Sequence, residues 1–170
     1  MAATLDGLFT QDLGRAENLI AASSSFQTWT SSVDADAAKA FIDLIDVAAG
    51  YTRPHCLLYN AEGFSMVRVA GGSASTFRLQ TSVIGARFEA DASGDDASDE
   101  ALVFIVEIED IIADITANLA GKGGELNVTN IVLLDELERI TADHTGERDA
   151  ETAGANEDYF SITLGLIKAI

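Results

Sequence analysis

Apolar residues at Leu5, Leu8, Phe9, Leu13, Ala16, Leu19 and Ile20 return every three or four positions, which predicts a first helix over residues 5–22 with one buried face. Ser and Thr dominate the next stretch, Ser23 to Ser32, and favour caps and turns over helix interiors; its Phe26 and Trp29 are expected to anchor it to the core. Asp34 suits the N-cap of a second helix, because its carboxylate can accept the open first-turn N–H groups. Ala37, Phe41, Leu44, Ile45 and Ala48 form the stripe of that helix and Gly50 its stop.

Beyond the second helix the period shortens. Pro54, the only proline, fits a strand entrance because it cannot donate to a ladder, and His55 to Tyr59 follows as a short apolar run. Ala61-Glu62-Gly63 predicts a turn into a second strand, Phe64 to Val69. After Gly71-Gly72, residues 76–90 read as a third strand, completing an antiparallel meander in which Gly85 marks a bulge, a bend or a close backbone approach.

Asp91 to Glu100 is too charged to pack and is expected to be a solvated connection. Steps of three or four then resume at Ala101, Ile105, Ile108, Ile112, Ile115 and Leu119, which predicts a long helix with Ser98 or Asp99 near its cap and Gly121 past its end. The β-branched cluster Val128-Thr129-Asn130-Ile131-Val132 makes 126–140 a strand, bent near Asp135. In the last strand Phe160, Ile162, Leu164 and Leu166 alternate with Ser161, Thr163 and Gly165, a period of two with one face to the core.

The predicted order is therefore α-α-β-β-β-α-β-β, an α+β chain whose mostly antiparallel sheet carries its helices on one face. One domain over 1–170 is expected, with acidic loops near 91–100 and 141–158. A closing strand of this kind is expected at a sheet edge, where its unpaired N–H and C=O groups would offer a contact to another subunit.

Charge narrows the function classes. Twenty-eight carboxylates against 10 Lys and Arg give a net charge of -18, which argues against gripping nucleic acid or an anionic membrane. The charge is also uneven: 91–110 holds eight carboxylates and no base, 135–158 is net -7, and 53–90 is net +2. Such polarity suits head-to-tail meeting of identical subunits, and equally suits simple solubility. The longest strongly apolar run, Ala101 to Val106, is far below a membrane span, and the N-terminus lacks a basic segment followed by an apolar one, so a soluble chain is expected.

Candidate chemistry is sparse. Asp91, Ser93 and Asp95 are spaced as the first ligands of an EF-hand loop, but Asp96 stands where that loop needs Gly and Leu102 where it needs Glu. Gly121-Lys122-Gly123-Gly124 follows a helix and precedes a strand, the reverse of a phosphate loop. His55 and Cys56 are adjacent on a strand and must point to opposite faces, and His144 lies among Asp143 and Glu147. One cysteine excludes an intramolecular disulfide framework, and no triad or zinc spacing is present, so no catalytic, cofactor or metal residues are assigned and no enzyme is expected.

Taken together, several elements resemble the small tail terminator or tail completion proteins of tailed bacteriophages. They are the N-terminal helix leading into Ser25-Phe26-Gln27-Thr28-Trp29, a second short helix, Arg53-Pro54 opening a strand, a long helix, Glu125-Leu126-Asn127-Val128, and the closing Asp158-Tyr159-Phe160-Ser161-Ile162-Thr163-Leu164. The resemblance implies a structural protein of the virion neck, assembled in the host cytoplasm. It would form a homohexameric ring that caps the tail tube and meets the head-side connector protein. DNA would pass through an acidic lumen without being bound, and the loop at 143–158 is the expected lining. Two other classes compete with it. Besides another neck protein, a stopper or adaptor, they are an acidic DNA mimic, weakened because most of its charge reads as loop, and a hydrolase assembled from distant residues.

Overall fold

The structure, a computed structural model, describes residues 8–45, 52–69, 76–92, 97–121, 128–140 and 158–168. Helix α1 (Leu8–Ala21) runs into α2 (Ser24–Trp29), so the Ser/Thr-rich stretch expected as turns is largely helical. The reason is local: the Ser23 hydroxyl caps α2 by accepting from the Phe26 N–H at 3.1 Å, and Phe26 is fully buried. Phe26 and Trp29 do enter the aromatic part of the core, beside Phe88 and Phe104.

Asp34 caps as expected, its carboxylate accepting from the Ala37 N–H at 2.8 Å. The helix it starts is much shorter than 34–48. Helix α3 (Ala35–Ala38) tightens into a 3-10 turn at Lys39–Phe41, and the chain then becomes strand β1 (Ile42–Leu44). Ile42 and Leu44 pair in parallel with Cys56 and Leu58, and this tertiary pairing overrides the weak helical stripe. Residues 46–51, with the expected stop at Gly50, lie outside the described residues.

Strand β2 (His55–Asn60) opens after a cis Arg53–Pro54 bond. The meander expected next is corrected. Strands β3 (Ser65–Val69) and β4 (Thr76–Gln80) pair only with each other, as a separate two-stranded sheet, while β5 (Val83–Asp91) pairs with β2. The single strand expected over 76–90 is broken at Thr81-Ser82, where the Thr81 hydroxyl bonds the Val83 carbonyl and the Asn60 side chain instead of continuing the ladder.

Helix α4 (Ala97–Gly121) begins before the predicted start, so Ser98, Asp99 and Glu100 belong to its first turn and not to a solvated connection. Asp91 ends β5, and 93–96 lie outside the described residues. The buried stripe of α4 is Phe104, Ile108, Ile111 and Ile115, so Ile108 and Ile115 hold and Ile105 and Ile112 move to its margin. The strand expected over 126–140 divides into β6 (Val128–Leu133) and β7 (Glu138–Ile140), with the break falling at the predicted Asp135 bend. Strand β8 (Tyr159–Lys168) completes the fold.

The main sheet runs β1-β2-β5-β8-β6, with β7 also on β8. The closing strand is therefore interior, flanked by β5 on one side and by β6 and β7 on the other, which overturns its expected place at an edge. Its clean alternation reflects a helix-covered face and a helix-free face. Cys56, Leu58, Ile84, Ala86, Phe88, Phe160, Leu164 and Leu166 share the helix-covered face and meet Leu13, Ile20, Phe26, Ile108 and Ile111 in one core. The architecture is α+β, with a mostly antiparallel mixed sheet and its helices on one face. Among the described residues, no helix is long and apolar enough to cross a membrane.

Candidate functional site

Strand registry builds three rows across the helix-free face. His55, Glu89, Ser161 and Glu138 stand in one row, Leu57, Arg87 and Thr163 in the next, and Tyr59, Gly85, Gly165 and Val132 in the third. The first row holds a charge cluster. Glu89 is only 2% exposed, and its carboxylate lies 3.0 Å from Arg87 Nε, 3.3 Å from Arg53 Nε and 3.7 Å from His55 Nε2. Arg53 also stacks over the Tyr159 ring at 3.9 Å and reaches Asp91 at 3.4 Å, while Arg87 Nε donates to the Ser161 hydroxyl at 2.9 Å. A buried carboxylate is tolerated here because two guanidiniums surround it.

Beside this cluster, where the short β1 leaves the end of β2 uncovered, a groove of about 540 Å³ opens. Leu57 and Arg87 come from the sheet, Tyr59 and Phe64 form walls, and Phe9 meets Phe64 edge-on with 4.8 Å between ring centroids. Ile45 closes one end. Its φ of 70° is a left-handed conformation that a β-branched side chain rarely adopts, held by its N–H donating to the Leu58 carbonyl at 2.8 Å. Phe64 stays 52% exposed, and Met66 and Leu79, paired across β3 and β4, are exposed beyond it.

A second apolar surface lies on α4, where Leu102, Val103 and Val106 are exposed on the side turned from the sheet. Deeper on that helix, Glu107 has its carboxyl raised by partial burial, offset in part by a hydrogen bond from Trp29. Asp114 does the reverse. It accepts from the Ser25 N–H and the Ser24 hydroxyl at 2.8 Å and from the Ser23 hydroxyl at 3.1 Å, which hold its pKa at about 2 and lock α4 to the start of α2.

The residues weighed for chemistry are not brought together. His55 and Cys56 face opposite sides of β2, with Cys56 in the core, its thiol pushed well above the ordinary range first by burial and then by the nearby Asp43 charge. A thiol in that state is not a nucleophile. Asp91 pairs with Arg53, and no group of three His, Cys, Asp or Glu side chains placed to hold a metal exists among the described residues. Ser93, Asp95, Lys122 and His144 lie outside them, as does the expected lumen loop apart from Asp158, which pairs with Arg139 at 2.9 Å.

Sequence reasoning missed the Arg53–Arg87–Glu89 cluster and the groove. The usable signal was charged residues at alternate positions, Arg87, Glu89 and Asp91 along one strand, with Arg53 and His55 at the entrance of another. The chain matches no protein-family model and none of the curated proteins.

Proposed function

We propose that this chain is a structural virion protein of the phage head-tail junction, a tail terminator whose copies form a ring on the tail tube and meet the head-side connector. The observation that supports it is the pair of separate exposed apolar surfaces, one around Phe64 and Met66 and one on α4, on a chain of net charge -18. Highly charged monomers gain nothing from two such patches, whereas a subunit with a neighbour on each side does. The acidic balance further suits a channel past which DNA slides without sticking.

Light scattering and native mass spectrometry of the full chain, alone and with tail tube protein, test this reading. A ring, six subunits by the resemblance, is the expected species. A strictly monomeric chain at high concentration, unchanged by tube or connector protein, overturns it.

One observation favours a DNA mimic as the second reading. Asp99, Glu100, Glu107, Glu109, Asp110 and Asp114 all stand on α4, with no basic residue, so Asp99 and Glu100, read as loop, join four further carboxylates on a rigid helix. Against it, Leu102, Val103 and Val106 interrupt that acidic face with apolar surface. Displacement of DNA from a basic protein by this chain would favour the mimic.

A further inference from the structure

Exposed apolar surfaces at α4 and at the groove differ in shape and in charge. On α4, Leu102, Val103 and Val106 are 61%, 59% and 53% exposed. Helical spacing sets them on one ridge, with Asp99 a turn before and Glu109 and Asp110 a turn after, all exposed. This ridge is convex, apolar in the middle and negative at both ends. The groove is concave, walled by Phe9, Tyr59 and Phe64, and carries the Arg87 guanidinium, whose side chain is 31% exposed.

We propose, resting on the reading of this chain as a self-assembling subunit, that the α4 ridge of one copy seats in the Phe9–Phe64 groove of the next, bringing the carboxylates at 109 and 110 toward Arg87. The ridge faces away from the sheet, because Phe104, Ile108 and Ile111 occupy the opposite side of the helix. The groove takes Leu57 and Arg87 from the helix-free face of that sheet. Ridge and groove are therefore different surfaces, and their contact is head to tail, the kind that closes into a ring or runs on as a filament. Ridge on ridge would set acidic ends together, whereas the one charged residue lining the groove, among the described residues, is Arg87, a cation that already pairs with Glu89 at 3.0 Å and still has a side chain 31% exposed.

Edge-to-edge strand pairing through the main sheet is a poorer route. Strand β1 spans three residues, and the opposite edge is interrupted between β6 and β7, where Glu138 and Arg139 add charge. Short, charged and broken edges resist pairing with another chain.

Two full-length variants test the contact, Val106→Lys on the ridge and Phe64→Glu in the groove, each checked by circular dichroism and sized by native mass spectrometry. Each alone should remain monomeric at concentrations where the unaltered chain assembles. Mixed in equal amounts they should form a heterodimer and nothing larger, because V106K keeps an intact groove and F64E an intact ridge. Where either variant fails to fold, Leu102→Lys and Phe64→Ser replace them with the same expectation.

Assembly of both variants like the unaltered chain overturns the contact and leaves the ring reading standing. Failure of the mixture to give the heterodimer also overturns it. An unaltered chain that stays monomeric even with tube protein sinks both ideas. A monomeric chain that binds anilinonaphthalene sulfonate, with binding lost in F64E, assigns the groove to a small amphiphilic anion instead.

Discussion

The ring of Tyr59 lies directly over Gly85, its cross-strand partner, so closely that a Cβ on Gly85 would fall 2.6 Å from Tyr59 Cζ and 2.7 Å from Cε1. Of the bulge, bend and close approach that a mid-strand glycine allows, this is close approach: the registry of β2 and β5 runs through Gly85 without interruption. Because Tyr59 is also a wall of the groove, the glycine sets the groove's shape. Gly85→Ala should displace the ring and cost about 1–3 kcal/mol, the usual range for overpacking. Urea denaturation measures the loss, and Tyr59→Ala on top of Gly85→Ala should relieve the clash. A single variant as stable as the original would show that the ring moves freely.

The helices and strands whose residues repeat most regularly were legible in sequence, and so was the α+β class. Alternation in 159–168 identified β8 and its core face, but periodicity along one strand carries no information about which strands flank it. Placing β8 at an edge followed from its position in the chain, and long-range pairing with β5 and β6 decided otherwise. Residues 42–44 failed for a related reason: three residues fit both periods, and pairing with Cys56, Leu57 and Leu58 selected the strand. The groove was invisible because Phe9, Tyr59, Phe64 and Arg87 converge only through tertiary packing.

Asp114 predicts an acid-sensitive step. Its folded pKa of about 2 is below the ordinary carboxylate value of 3.8, chiefly because the Ser25 N–H and the Ser24 hydroxyl bond the charged form. Such a group adds stability that is fully present above the unfolded pKa and is lost as pH falls from about 4 to about 2. Asp114→Asn should therefore lower the thermal midpoint at pH 7, modestly because solvent screens part of this charge, and leave it nearly unchanged at pH 2, where protonation has already removed most of that contribution. Equal shifts at both pH values would point to packing instead of charge.

Asp12 on α1 is 1% exposed and is held by Lys168 at the end of β8, with Arg15 at 3.4 Å. This pair joins the first described helix to the last strand across the whole chain. Lys168→Met should destabilise the fold by less than about 3–5 kcal/mol, the cost of a fully stranded buried charge, because Arg15 still reaches Asp12 at 3.4 Å. Adding Asp12→Leu removes the stranded charge and should recover most of the loss. A double-mutant cycle in urea would report this coupling, and strictly additive costs would contradict it.

Glu89 carries the sharpest test of the helix-free face. Its carboxylate lies within 3.3 Å of both Arg53 and Arg87, and only 2% of it meets solvent, so it is a buried charge held by two guanidiniums. Arg53 retains Asp91 at 3.4 Å and the Tyr159 ring at 3.9 Å, and is the better protected of the two. Glu89→Gln keeps an acceptor but removes the charge, which should cost about 3–5 kcal/mol as for a broken buried pair. Arg87→Met should cost less than Glu89→Gln, since Arg53 still neutralises the carboxylate. Arg87 would also lose its fixed direction when Glu89 is neutralised, so under the proposed ridge-and-groove contact Glu89→Gln should weaken assembly more than its stability cost alone accounts for. Sedimentation of the folded variant well below its unfolding midpoint separates the two effects, and unchanged assembly there would place Arg87 outside the contact.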